Sequence, residues 1–379
     1  MRKNLLLSVL LLGVAAPAAA PTSSSIGFRV IERLDTARSS PQFSNGRPIQ
    51  IAFWYPSPFA SASASASREL TYRDYYLLSA RETSFSPSTA ASDEQALAEF
   101  RAFLASAGVK PAEAESLLST RMHAARDAAP LPGRFPLVLI AQGNDQSAHD
   151  QAFLAELLAA RGFAVASVPS QARIGGHMKS EQEVPAQARD QAADLAFALK
   201  IVRGEGNVRP GRYGLVGHSF GARSALLLAM RDTDVGALVS LDGGIGAATA
   251  KGVFEKTRGF DREAAVAPIL HLYEIGDRFP VSDLAPLRAL VRSDRWLVRV
   301  DDMRHVHFSS LGVLAGEAPS LTAVTSADPS TKDAWDAVAA ATAGFLERFV
   351  VSPPAGQPPL EWTVPASRFL HPPEILGRR

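Results

Sequence analysis

The residues in this chain best placed to do chemistry are Gly217-His218-Ser219-Phe220-Gly221, set between an apolar run, Tyr213 to Val216, and a helix-forming run, Ala222 to Met230. Strand, turn, helix around a Gly-x-Ser-x-Gly is the arrangement that lifts a serine hydroxyl above the edge of a parallel sheet. The two glycines are mechanical, since a side chain at so sharp a bend would strike the neighbouring strand or helix. Such a serine attacks an acyl carbon, and because its hydroxyl is a poor nucleophile at neutral pH it needs a base within hydrogen-bond reach and an acid to orient that base. Three histidines follow Ser219 before the tail: His271, His305 and His307. His271 falls inside an expected strand and reads as a packed side chain, whereas His305 and His307 follow the last expected strand, where a loop can carry an imidazole over the serine. Asp242 and Asp277 each stand at the carboxyl end of an expected strand, where the site residues of open α/β sheets gather. Residue types leave both pairs open. For the oxyanion that forms during acyl transfer, the expected donors are the backbone amides of Phe220 and of Asn144, the latter in the loop Gln142-Gly143-Asn144-Asp145. Asp145 and His149 lie close in sequence, but without a third ligand at a useful spacing no metal is expected, and the chemistry requires no cofactor.

The elements that must position these groups follow from the hydrophobic pattern. Continuous apolar runs at Leu137 to Ala141, Phe163 to Val168, Tyr213 to Val216, Ala237 to Leu241, Ile269 to Tyr273 and Trp296 to Val300 read as strands buried on both faces. Between them lie helical patterns, with Phe153, Leu154, Leu157 and Leu158 on one face and a run opened by Pro185 and ending near Arg203; a last helix spans Lys332 to Val350. That rhythm predicts a mostly parallel sheet with helices on both faces. Near the start, Phe28 to Ile31 and the alternating segment Ile49 to Tyr55 predict an antiparallel pair at the sheet edge, with Asn45-Gly46 as the turn before the second strand. A Ser/Ala alternation, Ala60 to Arg68, reads as a flexible connection into a helical insertion at about 69–130. In it, Ser92 with Gln95 predicts a capping box ahead of Leu97, Phe100 and Leu104, and Pro111 opens a second helix. The insertion is either a lid over the serine or an ornament on the flank. Residues 352–379 form a proline-bearing tail, read as a surface strap.

The whole chain has 379 residues, 46% hydrophobic and 20% charged, a balance that suits one large domain over residues 21–351. A net charge of +1 leaves no basic footprint for nucleic acid. Arg2-Lys3, the apolar run Leu5 to Val14 and the small residues Ala15 to Ala20 have the form of an export signal, too short in its apolar part for the ~20 residues of a bilayer span. With no cysteine for a disulfide or a lipid, a secreted or periplasmic bacterial protein with no membrane anchor after cleavage is expected.

Five segments together resemble the platelet-activating-factor acetylhydrolase family of α/β-hydrolases, and more loosely dienelactone hydrolases and polyester-degrading cutinases. They are Arg47 to Pro56, Phe135 to Ile140, Gly217 to Gly221, Leu241-Asp242-Gly243 and His305 to Ser310. The resemblance implies an α/β-hydrolase fold and a Ser-His-Asp triad. It also implies two choices the residues left open: Asp242 as the acid, because in that family the acid follows the strand next after the nucleophile helix, and His305 as the base, from its His-x-x-Phe relation to Phe308. The chain departs from the family in having Ala141-Gln142-Gly143 where Ser-His-Gly is usual and Ala222 where a second glycine follows the elbow. The expectation is a secreted serine esterase acting through an acyl-enzyme on a small or lipid-like ester. The alternatives are an amide or thioester hydrolase on the same triad, or a silent binding protein that kept the fold.

Overall fold

The computed structural model describes residues 25–39, 43–58, 69–277, 280–352 and 362–379. The leader at residues 1–20 and the Ser/Ala connection therefore lie outside the described residues. Among the described residues the strands are β1 (Ser25–Asp35), β2 (Arg47–Ser57), β3 (Glu69–Thr71), β4 (Arg121–Arg126), β5 (Phe135–Ala141), β6 (Ala164–Val168), β7 (Val208–His218), β8 (Val235–Leu241), β9 (Ile269–Tyr273), β10 (Arg295–Arg299) and β11 (Glu374–Leu376). They form one sheet in the order β11-β10-β9-β8-β7-β5-β6-β2-β1-β4-β3. From β6 to β10 every neighbouring pair is parallel.

The parallel strands are apolar throughout because helices cover both faces. Along β5, Val138 and Ile140 point into the core under helices Ala152–Ala160 and Thr331–Leu346, while Leu137, Leu139 and Ala141 point into the core under helices Val184–Val202 and Gly221–Ala229. Each fully buried aliphatic side chain of this kind stabilises the fold by about 1.5–3 kcal/mol relative to exposure. No helix among the described residues is long and apolar enough to cross a membrane.

Three features depart from the pattern-based expectation. First, β1 and β2 are internal: β2 pairs antiparallel with β6, and β1 carries β4 on its other side, so the edge passes to β3. The insertion thus begins and ends as sheet, a consequence of Met122 and Ala124 alternating inward on a strand too short to announce itself. Second, the insertion helix Ala90–Ser106 is capped by Thr89 and not by Ser92. Thr89 Oγ1 accepts from the Ser92 N–H at 3.1 Å, and Ser92 Oγ accepts from the Thr89 N–H at 3.0 Å, so Ser92 is the reciprocating residue of the box. Gln95 instead donates to Glu99 at 3.2 Å. Third, the tail completes the sheet, β11 pairing antiparallel with β10, and Trp362 packs edge-on against Trp296 and Phe345 with ring centroids 6.0 and 5.0 Å away. A strand of three residues after many prolines gives no periodicity to read.

The insertion packs against the flank of the domain. Tyr72 and Tyr76 sit edge-on against the His149 ring, Tyr76 meets Phe100 at 4.4 Å, and Glu113 accepts from the Ser320 N–H at 2.9 Å.

Candidate active site

β7 delivers Ser219 in a strained conformation. Its φ of 51° lies in the left-handed region that side-chain-bearing residues avoid, and the surroundings enforce it. A Cβ on Gly217 would lie 2.5 Å from Ala222 Cα, and one on Gly221 would lie 2.1 Å from the Ala141 carbonyl oxygen, so strand and helix can approach this closely only with glycine at both places. The bend is pinned by main-chain bonds on each side, Ser219 N–H to Leu241 O at 3.1 Å and Gly244 N–H to Ser219 O at 2.7 Å.

His305 opens a short turn, His305–Phe308, just past β10. Its Nε2 lies 2.8 Å from Ser219 Oγ and its Nδ1 lies 2.5 Å from Asp242 Oδ2. A carboxylate only accepts, so Nδ1 carries the ring proton and the Nε2 lone pair faces the serine hydroxyl. Asp242 follows β8 directly with a φ of 41°, a second strained position, and its other oxygen accepts from the Glu274 N–H at 3.2 Å. The histidine and aspartate side chains are only 17% and 8% exposed, which keeps water from competing for either contact.

The rival candidates take other places. Asp277 Oδ2 accepts from the main-chain N–H of His305 at 2.9 Å, bracing the loop that carries the ring without touching the ring. His307 is fully buried, its Nδ1 accepts from the Arg304 N–H at 2.9 Å, and burial pushes its pKa down to about 4. His271 lies buried within β9 with Nδ1 2.9 Å from Ser240 Oγ, and desolvation pushes its pKa down to about 3. Asp145 pairs with His177 at 2.7 Å, whereas His149 is buried against Tyr72 and Tyr76.

The Asn144 and Phe220 N–H groups have no acceptor among the described residues. Both residues line a cavity of about 310 Å³ together with Ser219 and His305. The Asn144 side chain donates to Asp145 at 3.1 Å.

Four further residues hold or line the site without having been singled out by spacing. Gln146 Oε1 accepts from the Gly143 N–H at 2.7 Å and lies 2.7 Å from His218 Nδ1, locking the loop beside the elbow. A Cβ on Gly143 would stand 2.6 Å from Gln146 Oε1, 2.9 Å from His218 Nδ1 and 3.1 Å from the Ser219 Cβ, which explains a glycine there. His218 stacks on His305, centroids 5.1 Å apart, and burial with His305 alongside pushes its pKa down to about 3. Glu274 accepts from the N–H groups of Gly276 and Asp277, forming the turn that presents Asp277, and burial raises its pKa. Arg223, one helical turn beyond the serine, lines the cavity and is 4% exposed. The motif and the Glu274-Ile275-Gly276-Asp277 turn were visible signals for His218 and Glu274; Gln146 and Arg223 left none. The remaining walls come from Met178 to Glu181, Val184, Gly244, Ala247, Thr249 and Pro280, and none of residues 69–130 lines the cavity.

A mostly parallel sheet with helices on both faces, a strained serine turn after a central strand and acidic and histidine residues on the following strand ends define the α/β-hydrolase fold. The same fold is found in a ferulic acid esterase from Streptomyces cinnamoneus, which aligns with a TM-score of 0.60 over 90% of this chain and 95% of that one, at 22% sequence identity. No protein-family model and no curated protein sequence matches the chain.

Proposed function

We propose that the protein is a serine hydrolase of carboxylic esters in which Ser219 is the nucleophile, His305 the base and Asp242 the orienting acid. One observation carries the reading: an unbroken line of contacts, Oγ to Nε2 at 2.8 Å and Nδ1 to Oδ2 at 2.5 Å, whose serine and histidine line a cavity of about 310 Å³. Ser219 Oγ attacks the ester carbonyl carbon while its proton passes to His305 Nε2, and the imidazolium so formed is stabilised by Asp242. The carbonyl oxygen, now an anion, meets the free N–H groups of Asn144 and Phe220, each such donor contributing about 3–4 kcal/mol to the transition state. Nε2 then protonates the departing alcohol. Water, deprotonated by the same imidazole, attacks the acyl-enzyme and releases the acid.

The esterase named among the structural neighbours supports ester hydrolysis as the reaction class. Within that class, the segments that resemble acetylhydrolases favour a short acyl group, and the export-signal pattern of residues 1–20 favours export. The test is turnover of p-nitrophenyl acetate and butyrate together with labelling by a fluorophosphonate. Wild type turns over and labels, Ser219→Ala does neither, and His305→Ala loses both; turnover that survives in Ser219→Ala removes the serine from the reaction.

A further inference from the structure

Among the described residues Arg223 has no ionic partner. Among the described residues its guanidinium makes one hydrogen bond, Nη2 to the Thr249 carbonyl at 2.5 Å, and its Nε is buried with no acceptor. The group sits between aromatic rings, its Cζ 5.9 Å from the Phe220 centroid and 6.0 Å from that of Phe254. Burial pushes its pKa down to about 10, and Glu181, an exposed acid on the cavity wall that makes no ion pair with it, is the charge acting in the other direction. It also stands in the first turn of helix Gly221–Ala229, where the helix dipole disfavours a cation. A cation buried against desolvation and dipole alike, with most of its five donors unused, is a costly residue unless an anion arrives to meet it. The guanidinium lies directly over Gly244, where a Cβ would fall 2.7 Å from Arg223 Cζ.

We infer that Arg223 anchors a carboxylate carried by the substrate, so that the preferred esters are acidic ones. The inference rests on the esterase reading for its chemistry and names the substrate class of that same site. A planar guanidinium takes a carboxylate through two parallel N–H···O bonds, a geometry a neutral ester cannot match. Because Ser219 and Arg223 line one cavity a helical turn apart, the carboxylate and the scissile carbonyl belong to one small molecule. The acid group sits either on the acyl side, as in a half-ester of a dicarboxylic acid, or on the alcohol side, as in an esterified hydroxy acid.

Two matched pairs separate these sources: p-nitrophenyl valerate against mono-p-nitrophenyl glutarate, corrected for its own intramolecular hydrolysis, and phenyl acetate against 3-acetoxybenzoate. Wild type favours the anionic member of one pair in kcat/KM, and Arg223→Gln lowers that member by on the order of 100-fold while the neutral ester changes by less than about threefold. Arg223→Lys, a point charge without the fork, recovers part of the loss. No anionic preference in either pair, or an equal fall for both members in Arg223→Gln, overturns the inference. Should Arg223→Gln not fold, Glu181→Gln at the exposed wall reads the same point: removing the facing acid raises the anionic-to-neutral ratio severalfold, and an unchanged ratio overturns the inference. Binding separates this from failure of the esterase reading. By calorimetry, Ser219→Ala takes up monomethyl glutarate in preference to methyl valerate and Ser219→Ala/Arg223→Gln does not, whether or not any ester is cleaved; no such preference in Ser219→Ala counts against Arg223 alone.

Discussion

Two aspartates touch His305, and replacing each with asparagine separates their roles. Asp242 meets the ring at 2.5 Å and Asp277 meets the main-chain N–H at 2.9 Å. In the proposed reaction the ring becomes an imidazolium during attack, and at a charge separation of ~4 Å with an effective dielectric of ~20 its attraction to the Asp242 carboxylate is about 4 kcal/mol. Asparagine removes that charge and can offer an N–H to Nδ1, stabilising the tautomer that turns an N–H toward the serine. The expected loss in kcat for Asp242→Asn is therefore about 10³- to 10⁴-fold. At 277 the asparagine oxygen still accepts from the His305 N–H, so what is lost is the charge-assisted part of one hydrogen bond and a half-exposed ion pair with Arg304 at 4.0 Å. That is about 1 kcal/mol, or roughly fivefold. The assay is kcat on p-nitrophenyl butyrate for both variants at one pH, with thermal melts showing that both are folded. A loss at 277 equal to or larger than that at 242 would refute the reasoning and move the acid to the β9 strand end.

Other outcomes follow from the same geometry. Gly221→Ala places a methyl 2.1 Å from the Ala141 carbonyl oxygen, a contact that backbone must relieve, so the variant should lose fluorophosphonate labelling and melt well below wild type. His218, His271 and His307 have folded-state pKa values pushed down to about 3, 3 and 4, below the ordinary 6.5. The unfolded chain therefore binds more protons as pH falls through 6.5. Stability present above that pH is lost toward the folded values, by about 2 kcal/mol per histidine at pH 5. Urea melts at pH 7.5 and 5 should show the loss, and His271→Leu should flatten it by about one histidine's share; an unchanged slope in that variant contradicts a neutral buried His271. Gln146→Ala, which removes the partner of both the Gly143 N–H and His218 Nδ1, should lower kcat by about tenfold with little change in KM, because it loosens the loop beside the elbow without removing a reacting group.

What the sequence determined by itself was local or periodic. The elbow was legible because its constraint is steric and acts within five residues: Gly217 and Gly221 are glycine for clashes that any such strand-turn-helix would produce. The parallel strands β5 to β10 were legible because burial on both faces leaves continuous apolar runs. Pairings across the chain were not legible. β4 and β11 are short strands whose place depends on a partner edge, β1 and β10, far away in sequence. Likewise, both aspartates stand at strand ends, and residue type cannot say which faces the imidazole ring. Tertiary structure decided that, through the parallel register that sets the ends of β8, β9 and β10 side by side and through the left-handed turn at Asp242 that aims its carboxylate at Nδ1. Arg223 belongs to the same class: its identity was in the sequence, but the absence of a counter-ion among the described residues is a property of what the fold packs around it.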